Sequence, residues 1–442
     1  MATVIIIGGG LAGSEAAWQA SRLGAEVILY EMRPVKQTPA HHTDLLAELV
    51  CSNSLRSNSL QNAVGLLKEE MRMAHSLIME CADKTAVPAG GALAVDRTAF
   101  AEAVTEAIMK NPRITLIREE VKELPEERPL VIASGPLTSP ALAKSIAELT
   151  GEEYLSFYDA AAPLVTKESL NMEKLFAGSR YGKGDPAYLN APMNKEEYLR
   201  FWEALVNAEV HEPHAFEKNL FFEGCLPIEV MARRGVDTMR YGPLKPVGLI
   251  DPRTGKEPYA VVQLRQDNRE GTIYNMVGFQ TQLKWGEQKR VFRMIPGLEN
   301  AEFVRFGVMH KNTFIKGPKL LLPTLQMRLD PGIFCAGQFT GVEGYVESAA
   351  TGLIAGINSA RYALKKHPLT PPPETAHGAL CWYVSTSASS DFQPMNITFG
   401  LFPQPSTRLP RRYKNKFLVE NALKSWSKFL ENLDSDSLQK PL

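Results

Sequence analysis

The sequence predicts an α/β fold in which a parallel sheet carries helices on its faces. Residues 4–7 are consecutive β-formers that run directly into a glycine-rich turn at residues 8–13 and then into a helix. Apolar strands and amphipathic helices alternate from there to about residue 136, which is typical of a doubly wound sheet. The same character returns at residues 332–338, where another apolar strand meets a glycine. Together these observations predict a Rossmann-like domain interrupted by an insertion.

The N-terminal turn has the spacing of a dinucleotide-binding fingerprint. Gly8 permits a tight turn, Gly10 lets the backbone approach a pyrophosphate, and Gly13 lets the helix lie close to the strand. Glu31 follows the second strand, 18 residues after Gly13, where such folds place an acid that holds a ribose hydroxyl. The alternative is a glycine-rich turn that binds nothing. The residues of this turn predicted to bind the cofactor are Gly8, Gly9, Gly10, Leu11, Ala12 and Gly13.

A second predicted cofactor segment lies near the other end of the chain. An apolar strand ends at Gly337 and Gln338, and a loop leads through Gly344 into a helix rich in small residues. The N-terminus of that helix offers positive potential to the electron-rich edge of a cofactor ring. Because this segment is far from the fingerprint in sequence, we predict a long cofactor held from both ends of the chain. FAD fits this better than NAD.

The middle of the chain loses the strict alternation of strands and helices. Between about residues 160 and 303 there are Gly/Pro turns, a helix at 195–206 and two strands, 261–265 and 272–277, that we expect to pair. We interpret this stretch as an inserted α+β domain. The predicted division is a first FAD-binding part at 1–160, the insert at 161–304, and a second FAD-binding part with a C-terminal tail at 305–442.

Within the first FAD-binding part, a single long helix is predicted at 64–82.

The overall composition restricts the class of protein. The chain has 442 residues, of which 44% are hydrophobic and 22% charged, an ordinary globular composition. No apolar run reaches membrane-spanning length and the N-terminus lacks a basic region, so we predict no membrane partner and no signal peptide. Five cysteines, an odd number, argue against a disulfide framework and for a cytoplasmic protein. No CxxC or HExxH spacing is present, so we predict no metal.

The charge is balanced overall but not locally. The formal net charge is zero, yet residues 231–330 contain 17 Lys plus Arg against 9 Asp plus Glu. A basic face on a neutral protein favours a polyanionic partner. A solvated basic surface is the alternative interpretation.

The cysteines divide into two groups. Cys51 begins a polar stretch and Cys225 lies between a glycine and a proline-led segment, so either thiol can face a cleft. The other three, Cys81, Cys335 and Cys381, lie on apolar helical or strand positions and are predicted to be core thiols.

Five segments taken together carry a resemblance to a known family. They are residues 8–13, Cys51-Ser52-Asn53-Ser54, residues 223–229, residues 336–345 and Phe392-Gln393-Pro394-Met395-Asn396. In combination they resemble the folate- and flavin-dependent tRNA (uracil-C5) methyltransferases, which form the T-loop ribothymidine of bacterial tRNA. The match runs nearly end to end, and the two cysteine motifs are specific to that family. The glycine fingerprint and the segment at 336–338 are shared with a broader group.

The resemblance implies a chemistry. In the family, 5,10-methylenetetrahydrofolate is the one-carbon donor, reduced FAD carries the methylene and supplies the hydride, and NADH or NADPH restores the flavin. A cysteine thiolate adds to C6 of the uridine at position 54 and so activates C5. The implied fold is that of the glutathione-reductase-like FAD-binding domains, and the implied partners are tRNA, folate and a nicotinamide cofactor.

The resemblance also implies roles for individual residues. Cys225 matches the nucleophile and Cys51 the acid/base at C5 or a thiol that guards the flavin, although the two roles could be reversed. His310 and Tyr345 are candidates for stacking on the folate or flavin. The candidate phosphate contacts for tRNA include Arg233, Arg234 and Arg290.

Three other functions remain open from the sequence. A wobble-uridine tRNA-modifying FAD protein shares the core, but we expect it to need a longer helical C-terminal domain. A small-molecule flavin oxidoreductase would not need Cys225 or bind tRNA. A non-catalytic FAD-containing RNA-binding protein would hold a flavin that NAD(P)H does not reduce.

Overall fold

The computed structural model describes most of the chain. The described residues are 2–151, 155–160, 162–182, 185–211, 226–307, 309–387, 392–405 and 410–438.

The strands follow one another along the chain as β1 Thr3–Ile7, β2 Glu26–Glu31, β3 Ser54–Ser57, β4 Ala86–Val87, β5 Ala92–Val95, β6 Ile114–Arg118, β7 Leu130–Ile132, β8 Leu155–Ala160, β9 Leu164–Thr166, β10 Phe176–Ala177, β11 Tyr188–Met193, β12 Ala260–Gln266, β13 Ile273–Met276, β14 Phe303–Arg305, β15 Met309–Phe314 and β16 Ile333–Cys335. The helices are α1 Leu11–Arg22, α2 Ala63–Met73, α3 Leu77–Lys84, α4 Arg97–Lys110, α5 Pro140–Thr150, α6 Lys195–Val206, α7 Ile228–Arg234, α8 Thr238–Tyr241, α9 Trp285–Phe292, α10 Gly317–Leu320, α11 Tyr345–Ala363, α12 Ala376–Thr386 and α13 Arg411–Leu438.

The central element is a parallel sheet with the strand order β16-β7-β1-β2-β6. Strand β1 lies in the middle and pairs in parallel with β2 and β7, while the late strand β16 adds to β7 at the edge. The two parts of the chain predicted to share the FAD-binding domain therefore contribute to one sheet. The predicted Rossmann-like α/β class is confirmed.

Two helices from opposite ends of the sequence pack tightly against each other over this sheet. A Cβ atom placed on Gly352 would lie 2.2 Å from the carbonyl oxygen of Ala12, and one on Gly356 would lie 2.4 Å from that of Ala16. The small residues of α11 thus allow contact with the backbone of α1. This close approach joins the cofactor turn at residues 8–13 to the second cofactor segment.

The prediction of one long helix at 64–82 is wrong, because the chain breaks between α2 and α3. His75 has a positive φ of 54°, and Ser76 caps α3 by accepting a hydrogen bond from the Met79 N–H. The buried carboxylate of Glu15 accepts hydrogen bonds from the Ser76 hydroxyl at 2.7 Å and the Ile78 N–H at 3.0 Å. This tertiary partner stabilises a new helix start that an apolar stripe cannot reveal.

The insert forms its own sheet with the order β10-β11-β12-β13-β9-β14. The predicted pairing of the two strands near 261–277 is confirmed, since β12 and β13 are antiparallel with Leu264 opposite Met276. A separate apolar core underlies this sheet and includes Tyr198, Phe201, Phe279 and Phe292.

Strands β8 and β15 connect the insert to the remainder of the chain and pair antiparallel. This arrangement supports the proposed boundaries at about 161 and 304, which stay a prediction.

The C-terminal helix packs on the same domain as the cofactor turn. The fully buried Trp426 donates a hydrogen bond from Nε1 to the Glu70 carbonyl at 2.7 Å, and its ring stacks on His377 at 4.3 Å. The three cysteines predicted to be core thiols, Cys81, Cys335 and Cys381, are all buried. Among the described helices, none combines the length and apolar character needed to cross a bilayer.

Candidate functional site

The fingerprint turn has the geometry that its glycines predict. A Cβ atom on Gly13 would lie 1.7 Å from the Gly8 carbonyl oxygen, and one on Gly8, whose φ is 104°, would lie 2.4 Å from that of Ala133. Side chains are therefore excluded where helix, strand and neighbouring turn meet. At Gly10, in contrast, a Cβ atom would meet nothing within 4 Å. The backbone at Gly10 is thus open to an approaching ligand.

Glu31 is fixed at the end of β2 by backbone and side-chain donors. Its carboxylate accepts hydrogen bonds from the Gly9 N–H at 2.9 Å and from Arg33 through both its N–H and its Nε, at 3.0 and 2.9 Å. Burial by itself would raise the pKa of Glu31, but the hydrogen bonds and charge of Arg33, together with the Gly9 N–H, hold that pKa below its usual range. Glu31 is therefore an anionic acceptor beside the fingerprint turn.

Replacing Glu31 by glutamine is expected to remove part of the acid sensitivity of the fold. Folding lowers the pKa of this carboxyl, so the unfolded chain binds more protons there than the folded chain does. The carboxylate stabilises the fold above its unfolded pKa of about 4.3, and this contribution is lost as the pH falls below that value. Melting temperatures of E31Q and wild type from about pH 7 to about pH 3.5 measure the effect. Equally steep losses on acidification would contradict it, and Glu126→Gln on the exposed surface is the control.

A cavity of about 420 Å³ begins at this turn and extends toward the insert, within the size range of ligand sites. Of the predicted cofactor residues, seven line it, namely Gly8, Gly10, Leu11, Ala12, Glu31, Gln338 and Gly344. Gly9 lies behind the wall, where its N–H donates a hydrogen bond to the Glu31 carboxylate. Gly13 and Gly337 also lie behind it, where they permit close packing against Gly8 and Ala12.

The second cofactor segment forms the far wall of the cavity. The Gln338 side chain donates to Glu343 at 2.6 Å, and Gly344, with a φ of 106°, precedes the first residue of α11. A Cβ atom on Gly344 would lie 2.5 Å from the carboxylate of Glu347. Because Gly344 and Tyr345 line the cavity, the positive N-terminal end of the 19-residue helix α11 faces it.

Tyr345 and Cys51 meet at that end of the cavity. The Tyr345 hydroxyl accepts hydrogen bonds from the backbone N–H groups of Cys51 at 2.7 Å and Ser52 at 3.2 Å. Burial raises the pKa of Tyr345, so the phenol stays protonated and retains a donor. Both residues line the cavity, and their predicted place beside a cofactor ring stays a prediction.

Three arginines converge on the loop that begins at Cys51. Arg97 forms a two-point ion pair with Asp267, at 2.8 and 3.0 Å. Arg265 of β12 donates to the side chains of Asn53 at 3.0 Å and Ser52 at 2.7 Å. The insert is thereby fastened to the loop that carries the candidate thiol.

Arg305 of β14 completes this arginine cluster. Its Nη2, like that of Arg97, lies 3.4 Å from the Cys51 carbonyl oxygen. Burial and the neighbouring charge of Arg97 lower the pKa of Arg305 to about 10, so it is still protonated at neutral pH. The buried Nε of Arg305 has no hydrogen-bond partner among the described residues. The cluster therefore has more positive charge than Asp267 neutralises.

Cys225 lies outside the described residues, but the described chain on either side of its segment is bonded to residues 280–282. Before it, the His211 N–H donates to the Gln282 carbonyl at 2.9 Å, and after it the Ile228 N–H donates to the Gln280 carbonyl at 2.8 Å. Gln280 lines the cavity. The described chain thus resumes against the cavity wall within three residues of Cys225.

Glu229, the last residue of the motif at 223–229, strengthens that anchor. Its carboxylate accepts hydrogen bonds from the Thr281 hydroxyl at 2.8 Å and the Gln282 N–H at 2.9 Å. The side chain is fully buried, and burial raises the pKa of Glu229. The motif therefore serves to hold its own end against residues 280–282.

Of the remaining predicted residues, the three arginines do not line the cavity. His310 belongs to β15, and its side chain is outside the described part of the structure. Arg233 and Arg234 are exposed in the last turn of α7. Arg290 is exposed on α9 and forms a two-point ion pair with Glu287 at 2.7 and 2.8 Å.

The sequence interpretation missed the arginine cluster. Arg97 and Arg265 occupy a helix start and a strand, and Arg305 ends another strand. These positions carry no recognisable spacing because the residues come from three distant segments. The only available signal was that charged residues interrupt otherwise apolar strands.

Comparison with known proteins agrees with this architecture. The family model described as "GIDA: Glucose inhibited division protein A" matches residues 3–367. The chain is 62% identical over 425 residues to the methylenetetrahydrofolate–tRNA-(uracil-5-)-methyltransferase TrmFO of Moorella thermoacetica, covering 96% of this chain and 97% of that one. It is 63% identical over 433 residues to the TrmFO of Heliobacterium modesticaldum, covering 98% and 99%.

A solved structure supports the fold. The GidA protein of Aquifex aeolicus superposes with a TM-score of 0.72 at 18% identity, over 99% of this chain and 74% of that one. Family membership is shown by the two TrmFO comparisons, with identities of 62% and 63% over nearly the full length of both chains. The chain belongs to the family of methylenetetrahydrofolate–tRNA-(uracil-5-)-methyltransferases.

Proposed function

We propose that this protein methylates C5 of uridine 54 in the T-loop of tRNA, with 5,10-methylenetetrahydrofolate as the one-carbon donor. Membership of the family makes it a folate-dependent tRNA (uracil-5-)-methyltransferase. The observation that carries the finer proposal is that Cys51 and the described chain just after Cys225 both lie at the wall of one cavity. Cys51 lines it, and Ile228, three residues after Cys225, is bonded to the lining residue Gln280.

The cavity fits FAD. The open backbone at Gly10 and the start of α1 suit a pyrophosphate, and the Glu31 carboxylate suits a ribose hydroxyl. The start of α11 and Tyr345 form the far end, where the flavin ring would lie. Reduced FAD, replenished by NADH or NADPH, would supply there the transfer of the methylene unit and its reduction to methyl.

The protein's own contribution is a nucleophile and a base. A thiolate of Cys225 adds to C6 of the uracil, which turns the C4 carbonyl side into an enolate and makes C5 nucleophilic. Once C5 carries the new carbon, Cys51 removes the C5 proton as general base, and the enolate formed expels the carrier nitrogen to leave an exocyclic methylene. Hydride addition to that methylene would make the methyl group, release the Cys225 thiolate and restore the C5–C6 double bond. We also propose that His310 and Tyr345 stack beside the folate or the flavin.

The tRNA side of the proposal rests on access and charge. A T-loop uridine is buried in folded tRNA and has to be flipped out to reach a cavity. The exposed Arg233, Arg234 and Arg290 lie on the insert that borders the cavity, and phosphate contacts of this kind depend strongly on salt.

One assay tests the whole proposal. Purified protein is incubated with methylenetetrahydrofolate, NADH or NADPH and an unmodified tRNA transcript, and the digested RNA is analysed for 5-methyluridine. We expect 5-methyluridine at position 54 only when the folate donor is present. Methylation that depends on S-adenosylmethionine, modification of a wobble uridine, or flavin turnover without any tRNA product would each overturn it.

Replacing Arg305 by glutamine is expected to make Cys51 less reactive. Glutamine can still donate to the Cys51 carbonyl but removes a positive charge that favours the thiolate. Alkylation of Cys51 by iodoacetamide at neutral pH, followed by peptide mass spectrometry, should slow about threefold to tenfold, with the pH profile displaced to higher pH. Asp267, Tyr345, Arg97 and Arg265 face the same loop and are retained.

Arg290→Gln is the matched control for that experiment, because Arg290 is exposed and paired with Glu287 on the insert surface. It should leave the alkylation profile of Cys51 unchanged. An unchanged profile in R305Q, with FAD absorbance retained, would show that Arg305 has no influence on the thiol.

A further inference from the structure

A stack of three aromatic rings, exposed at its outer end, lies at the edge of the insert near the arginine cluster. Trp285 stacks on Phe306 with ring centroids 5.5 Å apart and an angle of 15° between the planes. Phe306 stacks in turn on Phe303 at 5.3 Å and 17°. The inner end of the stack reaches the core through Phe292, while Trp285 at the outer end is 58% exposed. One face of the indole therefore packs on Phe306, while more than half of the Trp285 surface is exposed to solvent.

The stack is linked to the catalytic cavity by short stretches of chain. Phe306 directly follows Arg305, whose guanidinium reaches the Cys51 carbonyl. Trp285 lies five residues after Gln280, a lining residue of the cavity. Five residues span at most about 18 Å even when fully extended. The exposed indole is thus within a few nucleotides of the cavity.

Several basic side chains lie on the same part of the insert as this indole. Lys289 lies with Nζ 5.5 Å from the Phe306 ring centre, and Lys284 immediately precedes Trp285. Glu209 pairs with Lys284 at 2.7 Å, and Glu287 pairs with Arg290. Arg233 donates to the Val206 carbonyl at the end of α6, and so belongs to the same end of the insert. Four cations, namely Lys284, Lys289, Arg290 and Arg233, therefore accompany these two carboxylates.

We propose that Trp285 is a stacking platform for a tRNA base next to the target uridine, with Lys289 and Arg290 contacting the adjoining phosphates. Aromatic faces interleaved with cations are how proteins hold unstacked nucleotides. Flipping one nucleotide into the cavity leaves its neighbour with an exposed face, and the indole can cover that face. A rigid ring stack loses little conformational entropy on binding. This inference rests on the proposed function, because it names a contact for the same RNA.

The test compares full-length, FAD-containing variants in binding an unmodified tRNA transcript and in forming 5-methyluridine. Trp285→Ala should raise the Kd and KM for tRNA about 5-fold to 100-fold, whereas Trp285→Phe should stay within about threefold of wild type. The Ala variant should keep the wild-type salt dependence of binding. Lys289→Gln should instead weaken binding and reduce the slope of log Kd against log salt by about one.

The control is Trp382→Ala on α12, which removes another exposed tryptophan, 39% exposed, that does not line the cavity. Wild-type tRNA affinity in W285A, an equal loss in W382A, or a change of oligomeric state in W285A without loss of RNA affinity would overturn the platform. Melting temperature and FAD absorbance establish that each variant is folded. If wild type itself forms no 5-methyluridine, the proposed function fails. If wild type methylates and W285A binds tRNA normally, only the platform fails.

Discussion

Cys225→Ala is expected to abolish formation of 5-methyluridine while leaving the protein yellow with bound FAD. Without thiolate addition at C6, no enolate forms. The C5 carbon of uracil is then too weakly nucleophilic to attack a one-carbon unit. The loss should be on the order of 10³-fold or more in kcat/KM, as for other removed nucleophiles. A second measurement is the covalent adduct with 5-fluorouracil-substituted tRNA, which the variant should fail to form.

Cys51→Ala is the comparison that assigns the two thiols. If Cys51 acts as the base, that variant still adds Cys225 to the uracil but does not complete turnover, so the adduct persists. An adduct that survives in C225A and disappears in C51A would reverse the two roles. The anchoring of Ile228 and Glu229 against residues 280–282 should be unaffected in both variants, since neither thiol belongs to it.

Gly13→Ala is expected to cause the largest loss of cofactor binding among substitutions in the fingerprint turn. The added methyl group would lie 1.7 Å from the Gly8 carbonyl oxygen, and neither backbone can move without separating α1 from β1. Such overpacking costs about 3 kcal/mol or more, so the variant should melt several degrees lower and be purified largely without FAD. Differential scanning fluorimetry and the flavin absorbance measure both effects.

Gly10→Ala separates ligand fit from folding. Its methyl group would meet no protein atom within 4 Å but would enter the cavity. We therefore expect a wild-type melting temperature for the cofactor-free protein and FAD binding about tenfold to 100-fold weaker. If G10A binds FAD as tightly as wild type, the pyrophosphate does not approach this turn.

Local patterns allowed much of the fold to be predicted. The glycine spacing at 8–13 reflects backbone sterics, because a Cβ atom at Gly8 or Gly13 would overlap backbone atoms. The paired strands of the insert and the buried Cys335 follow from apolar patterning over a few residues. The break between α2 and α3 could not be predicted, because the carboxylate that stabilises it belongs to Glu15 on another helix.

By itself, the sequence determined the fold class and the cofactor turn, because both depend on patterns among neighbouring residues. It also singled out Cys51 and Cys225 as candidates, whose roles stay a prediction. Only the tertiary structure decided what surrounds Cys51. Arg97, Arg265 and Arg305 come from segments as much as 208 positions apart, and they meet when the insert docks on the loop after Cys51. The ring stack ending at Trp285 arises in the same way. Contacts between distant segments depend on how two sheets pack, and no local spacing encodes them.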